Sequence, residues 1–339
     1  MNLNELSSIA SKIVADHRGI LAADESTSTI EKRFKSIGVE NTEEHRRAYR
    51  EMLFATPGVE KFISGVIMYD ETIRQKTQAG VPFPEWQAKL GIVPGIKVDT
   101  GAKTLAGSPT EKITEGLDGL RERLQSYHKL GARFAKWRAV IDIAEGIPTA
   151  YCLRANAQAL ARYAALCQEQ GLVPIVEPEV LMDGAHGIQR CAEVTAETLK
   201  IVFDELSTHR VALEGMLLKP NMVIAGMKSP KQASVEEVAQ ATVQVLKRHV
   251  PSAVPGIVFL SGGQSDVLAT AHLNAMNALG AMPWKLSFSY GRALQAAALE
   301  AWRGKQANVA AGQKAFYHRS QCNSAACAAR YSTQMEKAA

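Results

Sequence analysis

Nowhere in the 339 residues is there an apolar run of eighteen or more, so a membrane-spanning helix is not expected. The N-terminal MNLNELSSIASKIVADHRG has no basic segment followed by an apolar one, which argues against a secretory signal. The cysteines are few and odd in number: Cys152, Cys167, Cys191, Cys322 and Cys327, with no C-x-x-C among them. They read as reduced, buried hydrophobes in a cytosolic compartment rather than as staples. The eight histidines make no H-x-H, H-E-x-x-H or H-x-x-E-H, so a catalytic metal with nitrogen ligands is not expected. Walker A, G-x-S-x-G and a strand-following G-x-G-x-x-G are missing too. Finally, no dense basic stripe exists. Lys+Arg number 39 against 34 Asp+Glu, and the net charge of +5 is spread along the chain. That mild excess suits anionic small molecules better than nucleic acid.

What is present is apolar and periodic. Hydrophobic residues make up 46% and charged ones 22%, enough for a large core and too apolar for disorder. Eight short apolar runs read as strands: 19–24, 62–70, 95–99, 133–140, 173–179, 215–219, 256–261 and 285–290. Helical patterns fill 115–130, 155–170, 195–206 and 235–248. Near-continuous apolar strands between amphipathic helices indicate a parallel sheet covered on both faces. Eight of them suggest an α/β fold built as a single (β/α)8 TIM barrel, with an open doubly wound sheet as the runner-up. The barrel is expected over residues 1–317. Residues 318–339 are rich in Ala, Ser and Gln and read as a helix end with a short mobile C-terminal tail.

The apolar runs stop at polar residues: Asp24, Lys97, Lys136 with Arg138, Glu177 with Glu179, Lys219, Ser261, and Arg292 just beyond the last run. In a β/α barrel those ends share the rim that carries the active site. Any one such charge is as readily a solvated loop residue, but seven strand ends of eight are hard to assign to chance. Lys136 and Arg138 are two apart, as are Glu177 and Glu179, so each pair shares one strand face. If that face is the interior, the charges must pair with one another or with a ligand.

The turns after the last two runs, LSGGQS and SYGRA, bring Ser261, Gly262, Gly263, Ser289, Gly291 and Arg292 to the place where barrels often hold phosphate. Six cations (Arg33, Lys97, Lys136, Arg138, Lys219, Arg292) against Asp24, Glu177 and Glu179 leave the expected mouth at +3, about what a sugar with two phosphates would neutralise. Metal-free chemistry there needs an electron sink. A lysine amine supplies one by forming an iminium with a carbonyl, and burial beside other cations frees the amine. On these grounds Lys136 and Lys219 are both candidates, with Lys97 weaker.

The blocks GILAADEST (19–27), GIKVD (95–99), FAKWR (134–138), VPIVEPE (173–179), LEGMLLKPNMV (213–223), FLSGGQS (259–265) and FSYGRALQ (288–295) stand in the order found in one family. The chain resembles the class I (Schiff-base) fructose-1,6-bisphosphate aldolases from about residue 10 to 331. The resemblance implies cleavage of fructose 1,6-bisphosphate to dihydroxyacetone phosphate and glyceraldehyde 3-phosphate, in glycolysis and gluconeogenesis. It implies a cytoplasmic homotetramer that acts on small sugar phosphates without metal or cofactor, and with neither nucleic acid nor membrane as partner. It makes Lys219 the Schiff-base lysine and Glu177 the main general acid/base. Glu179 would orient and balance Lys219, Lys136 would assist proton transfer, and Asp24 would meet the hydroxyl at the breaking bond. Ser261, Gly262, Gly263, Ser289, Gly291 and Arg292 would hold one phosphate; Arg33, Lys97 and Arg138 would favour the other.

Three departures stand out. Ser28-Thr29 follows AADEST where the family commonly has Gly-Ser. The sequence closes on MEKAA, where animal members have a terminal tyrosine that helps move the enamine proton; Tyr331 aligns with an earlier tyrosine, and a different or slower proton return is expected. Tyr69-Asp70 stands where a Phe-His pair is frequent and receives no role. Another lysine-dependent barrel would need only one phosphate site. A scaffold without chemistry would be expected to have lost one of Asp24, Lys136, Glu177 and Lys219.

Overall fold

Each apolar run becomes a strand because both of its faces are covered. A computed structural model describes residues 2–338. Among these, ten strands form: β1 (Gly19–Ala23), β2 (Ile63–Met68), β3 (Val93–Lys97), β4 (Gly101–Leu105), β5 (Ser108–Glu115), β6 (Phe134–Ile141), β7 (Val173–Val180), β8 (Leu217–Leu218), β9 (Gly256–Phe259) and β10 (Lys285–Tyr290). Eight close into a parallel barrel in the order β1-β10-β9-β8-β7-β6-β3-β2, with helices between them. The (β/α)8 expectation holds, and the doubly wound alternative falls.

Inside the barrel the side chains are layered. Ile20, Ile67, Val93, Phe134, Val173, Ile175, Leu217 and Val258 form an apolar floor. The helix Leu3–Ile13 closes that floor from below with Leu6, Ala10 and Ile13. A larger apolar shell lies between the strands and the outer helices. With the bottom plugged, the barrel interior opens toward the rim at the strand C-terminal ends.

Some boundaries differ from expectation. Helices run Leu120–Lys129, Ala150–Glu169, Ile188–Thr208 and Val235–His249. The second starts five residues early because the Thr149 side chain accepts from Cys152 N at 3.2 Å and caps it. Where the first was expected to begin, at Glu115, the antiparallel hairpin β4–β5 ends, and the helix starts only at Leu120. The hairpin's alternation is too polar to read as buried strand; Asn156 Nδ2 donates to Lys112 O at 2.8 Å and pins it to the outer helix Ala150–Glu169, while Thr114 Oγ1 donates to Arg138 O on the barrel wall at 2.8 Å. β8 is short because Pro220 has no N–H to continue the ladder. Lys219 N still donates to Val176 O at 2.8 Å, so Lys219 keeps the strand's direction.

The boundary drawn at 317/318 falls within one unbroken helix, Val309–Cys327. Its last turns bury Arg319, Cys322, Asn323 and Cys327, and Thr270 Oγ1 donates to Asn323 Oδ1 at 2.8 Å. Small Ala, Ser and Cys side chains let this helix lie close to its neighbours, which is why its composition misreads as tail. A 3-10 turn, Thr333–Ala338, follows.

Candidate active site

Period-two alternation sets the site. On β6, Phe134 lies in the floor and Lys136 above it; on β7, Val173 and Ile175 lead up to Glu177 and Glu179. Parallel pairing brings Lys97 beside Lys136 and Arg138 beside Glu177. The floor is apolar and the layer above it is charged.

Four of the expected residues meet in one chain of contacts. Lys219 Nζ is 3.2 Å from Glu177 Oε1. Lys136 Nζ is 3.0 Å from Glu177 Oε2 and 3.0 Å from Asp24 Oδ2. All four side chains are buried. The contact of Lys136 with Glu177 Oε2 is close but poorly aligned, leaving that buried oxygen without a well-directed donor.

The two lysines are driven in opposite directions. Burial lowers the Lys219 pKa; Glu177 counters this, and the Lys136 cation lowers it further, leaving the amine below its ordinary range. Burial also works against the Lys136 cation, but Asp24 and Glu177 outweigh it and hold the pKa above the ordinary value. For Asp24, burial would raise the pKa, yet Lys136 and Lys219 bring it down to about 2. The arrangement keeps one fixed cation, one fixed anion and one amine that gives up its proton more readily.

Glu179 is placed differently from expectation. Two residues beyond Glu177 on β7, about 7 Å further along the strand, it pairs with Arg138. Glu177 is therefore the carboxylate at Lys219.

A cavity of about 750 Å³ opens above this cluster. On one side it is lined by Ser261, Gly262, Ser289 and Gly291. Ser289 Oγ is buried and has no hydrogen-bond partner. Gly263 and Arg292 stand outside the lining. Gly263 is needed for the turn, since its φ of +67° lies in the left-handed region. Arg292 donates to Gln264 O and steadies that turn from outside. On the other side are Ser26, Ser28 and Thr29, at the start of the helix Thr27–Ser36, together with Arg33, Lys97 and Arg138.

Each cation there has a carboxylate: Arg33 has Glu25, Lys97 has Asp99 at 2.7 Å, and Arg138 has Glu179. Glu25, Asp99, Asp70 and Arg123 also line the cavity and were missed in the sequence. The lining thus holds six cations and six carboxylates, so the mouth is balanced rather than +3. Two signals could have found the missing acids: Glu25 follows Asp24 directly, and Asp99 is two residues beyond Lys97. Glu25 is held by Arg50 at 2.7 Å and by Gln295 at 2.9 Å, partners 25 and 270 residues away, and these were not readable. Tyr69 and Asp70 both line the cavity as well.

The five cysteines are all buried and unpaired. Among the described residues no helix is long and apolar enough to cross a membrane.

Residues 5–339 match the family model described as glycolytic, fructose-bisphosphate aldolase class-I. A Xanthomonas campestris protein named "probable fructose-bisphosphate aldolase class 1" is 59% identical over 98% of this chain and 99% of its own. An Arabidopsis thaliana protein named "fructose-bisphosphate aldolase 4, cytosolic" is 54% identical over 96% of this chain and 84% of its own. Among solved structures, fructose-bisphosphate aldolase from Plasmodium falciparum, in a ternary complex with TRAP and a small-molecule inhibitor, superposes with a TM-score of 0.96 at 51% identity. That match covers 97% of this chain and 96% of the other.

Proposed function

The chain belongs to the class I fructose-bisphosphate aldolases, and from that premise we propose that it cleaves fructose 1,6-bisphosphate reversibly through a Schiff base on Lys219. The observation that carries the reading is the buried relay of Lys219, Glu177, Lys136 and Asp24 with its 3.0–3.2 Å contacts. Glu177 takes a proton from Lys219, and the free amine attacks the ketose carbonyl. The proton returns to the carbinolamine hydroxyl, which leaves as water. The iminium nitrogen then draws the electrons of the C3–C4 bond as Glu177, now ionised, accepts the C4 hydroxyl proton. Glyceraldehyde 3-phosphate departs. The enamine is protonated at C3, and water releases dihydroxyacetone phosphate.

Asp24 keeps Lys136 charged and in place and faces the hydroxyl at the breaking bond. Lys136 holds the substrate and depresses Lys219. Glu179 positions Arg138. Ser261, Gly262, Ser289 and Gly291 bind one phosphate through main-chain N–H groups and hydroxyls, with Gly263 and Arg292 shaping the turn. At the other end the second phosphate displaces the carboxylates now held by Arg33, Lys97 and Arg138. Phosphate binding, remote from the reacting carbons, fixes the C3–C4 bond over Glu177. The family match and the relative described as cytosolic support a glycolytic and gluconeogenic role in the cytoplasm. Family resemblance supports a homotetramer, which sedimentation would test.

Borohydride reduction with dihydroxyacetone phosphate in EDTA, followed by peptide mass mapping, tests the mechanism. A stable adduct on Lys219 is expected. An adduct on Lys136 would keep the chemistry but overturn the assignment. No adduct on folded protein would favour a scaffold that has lost the reaction.

A further inference from the structure

The helix Val309–Cys327 carries His318 and Cys322 four residues apart, on one face. His318 Nε2 and Cys322 Sγ are 3.6 Å apart. From the 3-10 turn Thr333–Ala338, the Glu336 carboxylate comes to 4.0 Å from His318 Nε2. One ligand atom from each of the three residues lies within 4.8 Å of the others. Zinc bonded at about 2.1 Å to nitrogen and about 2.3 Å to sulfur, with a tetrahedral angle between them, holds those two atoms about 3.6 Å apart. The histidine and cysteine already have that spacing, and the carboxylate, within 4.8 Å of both, needs to close in by about 1 Å.

We propose that His318, Cys322 and Glu336 bind a borderline-soft divalent metal ion, zinc by the chemistry of its donors, as a clasp between the last long helix and the chain beyond it. An imidazole, a thiolate and a carboxylate form a donor set that suits zinc and disfavours magnesium or calcium. Outer partners already orient the carboxylate: Tyr331 Oη donates to Oε1 at 2.7 Å, and Arg319 donates to Oε2. Each oxygen keeps another lone pair for the ion. The His318 and Glu336 side chains are 14% and 22% exposed, which leaves an approach for the ion and a fourth position for water. Arg319 and Lys314, the cations facing His318, oppose the ion. The thiolate and the carboxylate offset its two charges. None of the three ligands lines the active-site cavity, so the site is separate from the chemistry at Lys219.

The test uses the full chain, stripped with chelator and titrated with Co2+ as the spectroscopic probe. One equivalent should give tetrahedral d–d absorption together with a thiolate-to-cobalt band, and Zn2+ should displace both. Cys322→Ser should abolish the thiolate band; His318→Gln and Glu336→Gln should each weaken binding at least about tenfold. Because Cys322 is buried and its variant can fail to fold, His318→Gln is decisive, with retained aldolase activity as the check on folding. An octahedral spectrum, no spectrum in active protein, or unchanged affinity in His318→Gln or Glu336→Gln would overturn the site.

Discussion

Two buried lysines share one carboxylate, and what separates them is the second carboxylate. Lys136 has both Glu177 and Asp24; Lys219 has Glu177 alone and faces the Lys136 cation. Position and charge therefore support Lys219 as the nucleophile, a choice that residue types alone left open. A pH profile follows. Because the Lys219 pKa lies below the ordinary lysine value of 10.5, the trapping rate should rise with pH and level off before that point. In Lys136→Met the cation that disfavours the charged amine is gone, so the inflection should move to higher pH. Cleavage should fall about 10²-fold or more, the loss typical of a removed proton-transfer group. A profile that stays in place or moves down would show that Lys136 does not tune Lys219. Asp24 has its own acid-side signature. Its folded pKa of about 2 lies below the ordinary aspartate value of 3.8, so the stability it contributes is complete above 3.8 and is lost as pH falls toward 2.

The turn after β9 shows what an element adds to its residues. Gln264 closes the turn by donating from its backbone N to Gly262 O at 2.8 Å, and its own carbonyl accepts from Arg292. Its side-chain Oε1 lies 2.6 Å from His272 Nδ1 on the following helix, Asp266–Ala278. Burial pushes the His272 pKa down to about 4, so at neutral pH the ring is uncharged and donates from Nδ1. This histidine belongs to none of the motifs that histidines make in sequence, and SGGQS draws the eye to its serines and glycines. Its role becomes visible only once a helix folds back over the turn. His272→Leu should loosen the phosphate grip, raising KM about tenfold, the loss of one buried hydrogen bond, with kcat and the trapping stoichiometry nearly unchanged. His272→Asn, which retains an amide donor, should restore much of the affinity. An equal fall in kcat and kcat/KM in His272→Leu would place its effect on the transition state instead.

At the scale of the whole molecule, the legible parts were those with a strong period. Eight runs gave eight barrel strands, and most of the rim residues at their ends line one cavity because parallel strands bring all their C-terminal ends to one side; Arg292 stands outside it and Glu179 pairs with Arg138. The hairpin β4–β5 and the last turns of the helix Val309–Cys327 were not legible. Their burial comes from distant partners such as Asn156 and Thr270 rather than from their own pattern. The floor of the barrel is equally hidden in the sequence, although it sets the height of everything above it. Phe134 fills that floor directly beneath Lys136, and a Cβ at Gly95 on the neighbouring β3 would lie 2.2 Å from the Phe134 ring. Only glycine fits there. In Gly95→Ala the ring or the strand must move, at a cost of about 1–3 kcal/mol from overpacking. Because the ring shares a strand face with Lys136, cleavage should fall as well. Adding Phe134→Leu supplies the missing room, so the double variant should be more stable to denaturant than the sum of the two single losses predicts. Simple additivity would mean that the two residues do not compete for space. The height of Lys136 above the floor would then be set by the backbone alone.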